Sequence, residues 1–311
     1  MAATVFVLLT VTFMLFRIMP GDPTSMLLTG RFTEEERQSL LESFGLDAPL
    51  HEQYILFIIN YTQGDMGTSF FYQEPVLQVI IPRLINTLII IVPGMATILI
   101  SAYFTGSYIG WKKGTSTDKI GSYLQLTFRA IPHFILGLFF LLIFSYQLGV
   151  TPISGIRPIG YEPTSTADII LTTAHHALLP FLVFTIHYLA DAFLLMRGNI
   201  IDERDTAYVR FLRLKGVREN KVRKHATRNS LLPLVTYAPT LILISIGGQI
   251  LIEQVFSWPG IGELLVSSVL ARDYPVAQAA FFIFGMMAII GNTVVDILYR
   301  IIDPRVGGDE T

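Results

Sequence analysis

The chain contains no cysteine, which excludes disulfides, thiolate catalysis and thiolate-bound metals. Charge is scarce as well. Asp, Glu, Lys and Arg make up 15% of its 311 residues, where an average soluble domain carries about 25%. No Gly-x4-Gly-Lys-[Ser/Thr] phosphate loop occurs, so the chain is not expected to bind or hydrolyse ATP itself. No paired catalytic motif, internal repeat or low-complexity tract is found, and no cofactor is called for. A cleavable signal peptide is missing too. The first apolar block runs into Phe16-Arg17-Ile18-Met19-Pro20 without a small-residue cleavage site, so it reads as a retained span. No basic residue precedes that block, as expected if a few N-terminal residues are missing.

What is abundant is hydrocarbon. Apolar residues make up 52% of the chain and mean hydropathy is +0.55. They cluster into six blocks, about 2–19, 87–110, 120–147, 174–196, 232–252 and 276–300. A helix needs roughly 20 residues to cross about 30 Å of hydrocarbon. Only helices satisfy their own backbone there without a closed barrel. The expectation is therefore an all-α, polytopic membrane protein with six transmembrane helices, forming one transmembrane domain over 1–311. The third block is longer than required and should tilt or protrude.

Net charge is −2, but the charges are segregated. Ten of the 22 Lys and Arg residues lie between Arg197 and Arg228, and Lys112, Lys113 and Lys119 add three more. Segments 20–86, 148–173 and 253–275 hold five together. Short basic loops stay on the cytoplasmic side, so both termini are expected to be cytoplasmic. The first outward segment, 20–86, is too long for a plain loop. Thr33-Glu-Glu-Glu36 is a capping-box pattern that opens a helix ending at Gly45, and a second helix is predicted from about Leu50 to Thr62. Gly64 to Ser69 reads as a turn. Together they make a small helical extracytoplasmic cap.

The basic loop, 197–231, is predicted to hold two helical pieces around Gly216. The first, 201–216 with its stop, places Tyr208, Phe211 and Leu212 on one face and Arg210 and Arg213 on another. Gly216 is a left-handed stop, and Lys215 suits the C-terminal end of the dipole. The second runs from Arg218 to Asn229. Exposed aromatics with fixed charges suit docking into a groove of another protein. The competing reading is a basic loop touching anionic lipid.

Tyr208-Val-Arg-Phe-Leu-Arg-Leu-Lys-Gly216 and His225-Ala-Thr-Arg-Asn-Ser-Leu-Leu-Pro233 resemble the coupling loop of ABC importer permeases, in the peptide/nickel subfamily that includes the oligopeptide and dipeptide permeases. Phe211, Leu212 and Leu214 are larger than the small residues of that pattern. Further matching segments are Arg17-Ile-Met-Pro-Gly-Asp-Pro23, Phe44-Gly-Leu-Asp-Ala-Pro-Leu50, Gly64-Asp-Met-Gly-Thr-Ser69, Val255-Phe-Ser-Trp-Pro-Gly-Ile-Gly262, Arg272-Asp-Tyr-Pro-Val276 and Asp303-Pro-Arg305. The resemblance covers essentially the whole chain. It implies a type I ABC importer permease fold in the inner membrane. A second permease, two ATPase subunits and an extracytoplasmic substrate-binding protein are the implied partners. The 201–216 helix, with Tyr208, Val209, Arg210, Phe211, Leu212, Arg213, Lys215 and Gly216, would couple to the ATPases and drive alternating access. Di- and oligopeptides are the implied cargo, with nickel chelates and oligosaccharides as alternatives. No nucleic acid is implied.

Ionisable groups inside apolar blocks suggest function by default. Arg129 lies in the third block, either lining the pathway or paired with Asp191 or Asp296. An ion-coupled secondary transporter would use these groups as a relay, although no inverted repeat of that class is visible. His187 and Asp191 are one turn apart, which suits either a relay or metal site or a local hydrogen bond. His175 and His176 point to different helix faces, a poor arrangement for a shared metal. Trp258, in Ser257-Trp-Pro-Gly-Ile-Gly262, is either an interface anchor or part of a re-entrant element at the pathway mouth. Glu253 beside it is a further pathway candidate. Small residues at 101–107 and Gly247-Gly248 predict close helix packing.

Overall fold

The computed structural model describes residues 1–18 and 49–302. The predicted cap helix between Thr33 and Gly45, the turn 19–23 and the Asp303–Arg305 segment lie outside them. The described helices are α1 (Ala2–Ile18), α2 (Leu50–Gln63), α3 (Val76–Ser101), α4 (Ser107–Trp111), α5 (Ser116–Ala130), α6 (His133–Phe140), α7 (Thr166–Arg204), α8 (Ala207–Leu214), α9 (Glu219–Asn229), α10 (Leu232–Val255), α11 (Ile261–Leu270) and α12 (Tyr274–Ile302). A π-helical turn at Ala102–Gly106 joins α3 to α4, and another at Leu141–Gln147 extends α6. Among the described residues three helices are long and apolar enough to cross a membrane: Val76–Trp111, Thr166–Arg204 and Tyr274–Val294. Two bent pairs raise the number to five if each is one span.

The third apolar block is not the single tilted helix expected from its length. α5 and α6 meet at 97° across Ile131-Pro132. Pro132 has no N–H to continue the helix, and it forces Ile131 into an extended conformation (φ −84°, ψ 121°). The second bend, of 61°, lies in α10 between Ile242 and Gly247. The fourth block also differs from expectation. α7 is 39 residues long, because Ser165 caps it early by accepting the Asp168 N–H and it runs on to Arg204.

The residues fall into two compact units, Met1–Thr87 with Pro259–Ile290, and Leu88–Trp258 with Gly291–Thr311. In the first, Phe13 of α1 packs edge-on against Tyr54 of α2 and tilted against Phe57, and the Thr10 and Tyr54 hydroxyls are 2.7 Å apart. Phe16 packs with Tyr274, Ala277 and Phe281 of α12. α2 ends as predicted at Gly64, in the left-handed conformation. The following turn is tied to Asp273, which accepts from the Ser69 hydroxyl (2.5 Å) and the Phe70 and Phe71 N–H groups (both 3.1 Å). Arg83 and Glu263 form an ion pair at 3.1 Å.

In the second unit α7 is the element on which α4, α5, α6, α9 and α10 pack. Gly106 and Gly110 permit the closest approach. A Cβ on Gly106 would lie 3.0 Å from the Phe193 carbonyl, and one on Gly110 would lie 2.8 Å from that of Arg197. Gly248 faces the Tyr188 hydroxyl in the same way, whereas Gly247 faces open space. The predicted close packing therefore holds at Gly106 and Gly248. His175 and His176 each donate a ring N–H to loop carbonyls, of Val150 (3.0 Å) and Gly155 (3.1 Å). They tether the 148–165 loop.

Two ion pairs of opposite polarity fix α5 against α7. Asp118 of α5 takes Arg197 of α7 through Nε (2.6 Å) and a terminal nitrogen (2.9 Å). Arg129 at the other end of α5 meets Asp191 of α7 at 2.7 Å. Asp118 also accepts the Gly114 N–H at 2.9 Å, closing the turn that enters α5. Arg197→Met leaves a buried carboxylate without its partner. It is expected to lower stability by about 1–2 kcal/mol, read as a lower thermal midpoint in detergent. The double substitution Asp118→Asn/Arg197→Met should recover part of the loss.

Candidate functional site

The connector after α7 is built from a hairpin of two short helices. α7 continues through Ile201 to Arg204, so the first helix of the loop is shorter than predicted. It begins after a turn at Asp205-Thr206 and covers Ala207–Leu214. Gly216 stops it at φ +73°, the left-handed conformation expected there. α9 follows from Glu219, one residue later than predicted.

Of the predicted outward face of α8, Phe211 is exposed, whereas Tyr208 and Leu212 turn partly inward. Val209, Ile200, Val222 and Ala226 form a buried cluster, with Trp111, Tyr208, Leu212 and Val217 packed against it. Tyr208 is therefore partly interior. Its hydroxyl donates to Glu203 at 2.5 Å and accepts from Asn229 at 3.1 Å. Burial, then the Glu203 carboxylate, push the Tyr208 phenol up to about 12. Phe211 turns outward, 54% exposed, beside Leu214 at 87%. The Lys215 ammonium lies 4.5 Å from the Phe211 ring centroid, and Arg210 is exposed next to it. The hairpin thus presents two large apolar side chains flanked by two cations.

A second set of contacts fixes the hairpin to α4. Glu219 accepts from the Trp111 indole (3.1 Å) and from Arg213 (2.9 Å and 3.3 Å), and the Arg213 guanidinium also sits 5.2 Å from the Trp111 ring centroid. Arg204 donates to the Trp111 carbonyl at 2.9 Å. Arg213, exposed like Arg210, is thus tied by these bonds to the hairpin and to α4. Val209, expected among the coupling residues, is fully buried inside the hairpin. The signal for its inward position is the three-residue spacing from Val209 to Leu212 in a short amphipathic run.

The candidates inside the apolar blocks are placed as follows. Arg129 pairs with Asp191, and the Asp296 side chain lies outside the described set. Glu253 is fully buried and accepts from Gln249 at 3.2 Å. Trp258 is also fully buried, and its backbone N–H donates to the Glu253 carbonyl at 2.8 Å. The His187 ring lies 5.1 Å from that of His133. No cluster of three or more His, Asp or Glu residues able to hold a metal occurs among the described residues.

Residues 102–308 match the family model for the binding-protein-dependent transport system inner membrane component, and residues 1–91 match its N-terminal model. The chain belongs to this family of inner-membrane transport components. It is similar to the oligopeptide transport system permease protein AppB of Bacillus subtilis, 36% identical over 307 residues, covering 96% of this chain and 95% of the relative. It is likewise similar to the glutathione transport system permease protein GsiC of Pectobacterium atrosepticum (35% over 305 residues, 97% and 94%) and to a putative peptide permease protein of Brucella ovis (35% over 298 residues, 94% and 92%). It is a permease of the ABC importer class in the peptide subfamily, and its relatives are transport permeases, not enzymes.

The Arg213 guanidinium, by its hydrogen bonds, holds the Glu219 carboxyl below the usual carboxylate range. A depressed carboxyl stabilises the folded form above its ordinary value and stops doing so as pH falls through its lowered one. In a Trp258→Phe background, the Trp111 emission of the purified protein should therefore stay constant down through about pH 4.3, the ordinary Glu range, and change only below it. Glu219→Gln should abolish that acid transition.

Proposed function

We propose that this chain is one of two permease subunits of an ATP-driven peptide importer, and that Phe211, Leu214, Arg210 and Lys215 form its knob for an ATPase subunit. The observation that carries the reading is the exposed apolar pair at the tip of α8, held on a hairpin that is otherwise closed by its own core and ion pairs. Apolar anchors supply binding energy, and flanking charges supply orientation. Tyr208, Val209, Leu212, Arg213 and Gly216 act behind them by shaping the hairpin.

In this reading the chain crosses the membrane six times. α1 and α3–α4 supply the first two crossings, α5–α6 the third, α7 the fourth, α10 the fifth and α12 the sixth. The basic hairpin and both termini face the cytosol. Residues 20–86 form a cap on the outer side, where a substrate-binding protein delivers cargo. ATP-driven closure of the ATPases moves the hairpin and turns the pathway outward, and relaxation turns it inward. Peptide cargo follows from the names of relatives aligned over nearly the whole chain; glutathione, in one of them, is itself a small peptide. Nickel chelates and oligosaccharides remain the alternative cargo of the same machinery.

Phe211→Asp and Leu214→Asp should each reduce co-purification of the ATPase subunits by at least about tenfold, without lowering the amount of folded permease. Val217→Ala, on the hairpin's inner side, should leave the complex intact. Normal assembly and uptake with both charged variants would place the docking knob elsewhere.

A further inference from the structure

The Arg129–Asp191 pair is incompletely covered within this chain. Arg129 is 55% exposed at its side chain and Asp191 33%. Asp191 lies within the apolar block 174–196, about 9 Å at helical rise from the centre of that block. Charged side chains at such a depth do not face acyl chains. They face protein or a water-filled cavity.

The backbone around the pair points the same way. Arg129 is the penultimate residue of α5, immediately before the Ile131-Pro132 break and the 97° turn into α6. Interrupted helices within a membrane are tolerated where they are buried in protein or line a cavity, and they recur at cargo sites. The second bent helix, α10, reaches this elbow. The Tyr188 hydroxyl donates to the Ile244 carbonyl at 3.3 Å, beside Gly248 and His133. Two buried ring nitrogens at the elbow, His133 Nε2 and His187 Nδ1, have no hydrogen-bond partner. A charged, partly unsatisfied group of polar side chains of this kind suits a polar ligand better than a packed helix seam.

Among the described residues Arg129 has one carboxylate partner, reached through Nε. Its two terminal nitrogens are the pair that a second carboxylate engages side by side. We infer that the α5–α6 elbow is a cargo subsite in which Arg129 receives the free C-terminal carboxylate of a peptide and Asp191 holds the guanidinium in place when the site is empty. The inference rests on the importer reading above and names the chemistry that its pathway selects. A self-paired Arg–Asp site keeps its charges satisfied between turnovers. It opens only to a ligand bearing the same charge as Asp191, so neutral-ended peptides gain nothing there.

The test uses the complete transporter in proteoliposomes, with both permeases, the ATPases and the binding protein. A tripeptide and its C-terminal amide are supplied at concentrations that saturate the binding protein. The wild type is expected to import the free acid faster than the amide. Arg129→Gln should cut free-acid import about tenfold and leave amide import unchanged, so that the preference disappears. Arg129→Lys should keep part of it. Arg129→Gln/Asp191→Asn removes both charges and guards against misfolding caused by an unpaired Asp191; it should still lack the preference. Equal loss of both substrates in every variant, or a preference retained in the double variant, would confine the pair to holding α5 against α7 and overturn the subsite while leaving the importer reading standing. A wild-type complex that imports neither peptide would instead defeat the importer reading, and the subsite with it.

Discussion

The packing of the second unit depends on Asp118 being ionised and enclosed. A carboxylate removed from water must find donors, and here it finds the Arg197 guanidinium, the Gly114 N–H and Ser122. Those donors come from the turn before α5, from α5 itself and from α7. One acid therefore fixes where α5 starts, how it lies on α7, and where α4 ends. Arg204 and Glu219 extend the same logic through Trp111 to the hairpin. The hairpin is held less by its own eight-residue helix than by a series of charge-assisted bonds leading back to the apolar interior.

The opposite polarity of the two α5–α7 pairs adds direction to this attachment. Acid on α5 meets base on α7 at one end, and base on α5 meets acid on α7 at the other. A slip of one helical turn would break both pairs and bring no compensating one into place. Apolar packing alone is weakly specific in a membrane, where lipid competes as an equal neighbour. Paired charges supply the register that hydrocarbon contacts leave open.

Much of this was legible in the sequence. The long apolar runs, the basic connector, the stop at Gly216 and the α2 boundaries follow from local rules that tertiary packing did not override. The misreadings have physical causes. The third block reads as one helix because its hydropathy is continuous, although Pro132 stands inside it and breaks it. The start of α7 was placed late because a polar first turn capped by Ser165 looks like loop. Periodicity puts Tyr208, Phe211 and Leu212 together on the outward face of α8; Phe211 is exposed, but Tyr208 and Leu212 pack against the interior, because an aromatic stripe and an adjacent aliphatic stripe are equally periodic in so short a helix. Val209 won because it fits the small gap between α7 and α9, while Tyr208 satisfied its hydroxyl at the edge. The partners of Arg129 and Asp118 are 62 and 79 residues away in sequence, and only the fold chooses among several acids and bases.

α7 is a single rod of 39 residues, about 58 Å at helical rise, well over the thickness of the hydrocarbon layer. A continuously hydrogen-bonded helix resists shortening, so a displacement at one end travels along the rod as tilt or rotation. The ladder is one bond short at Pro180. That residue is the natural joint of the rod, dividing a stiff arm of about 36 Å, attached to the hairpin, from a shorter arm bound by its two histidines to the 148–165 loop.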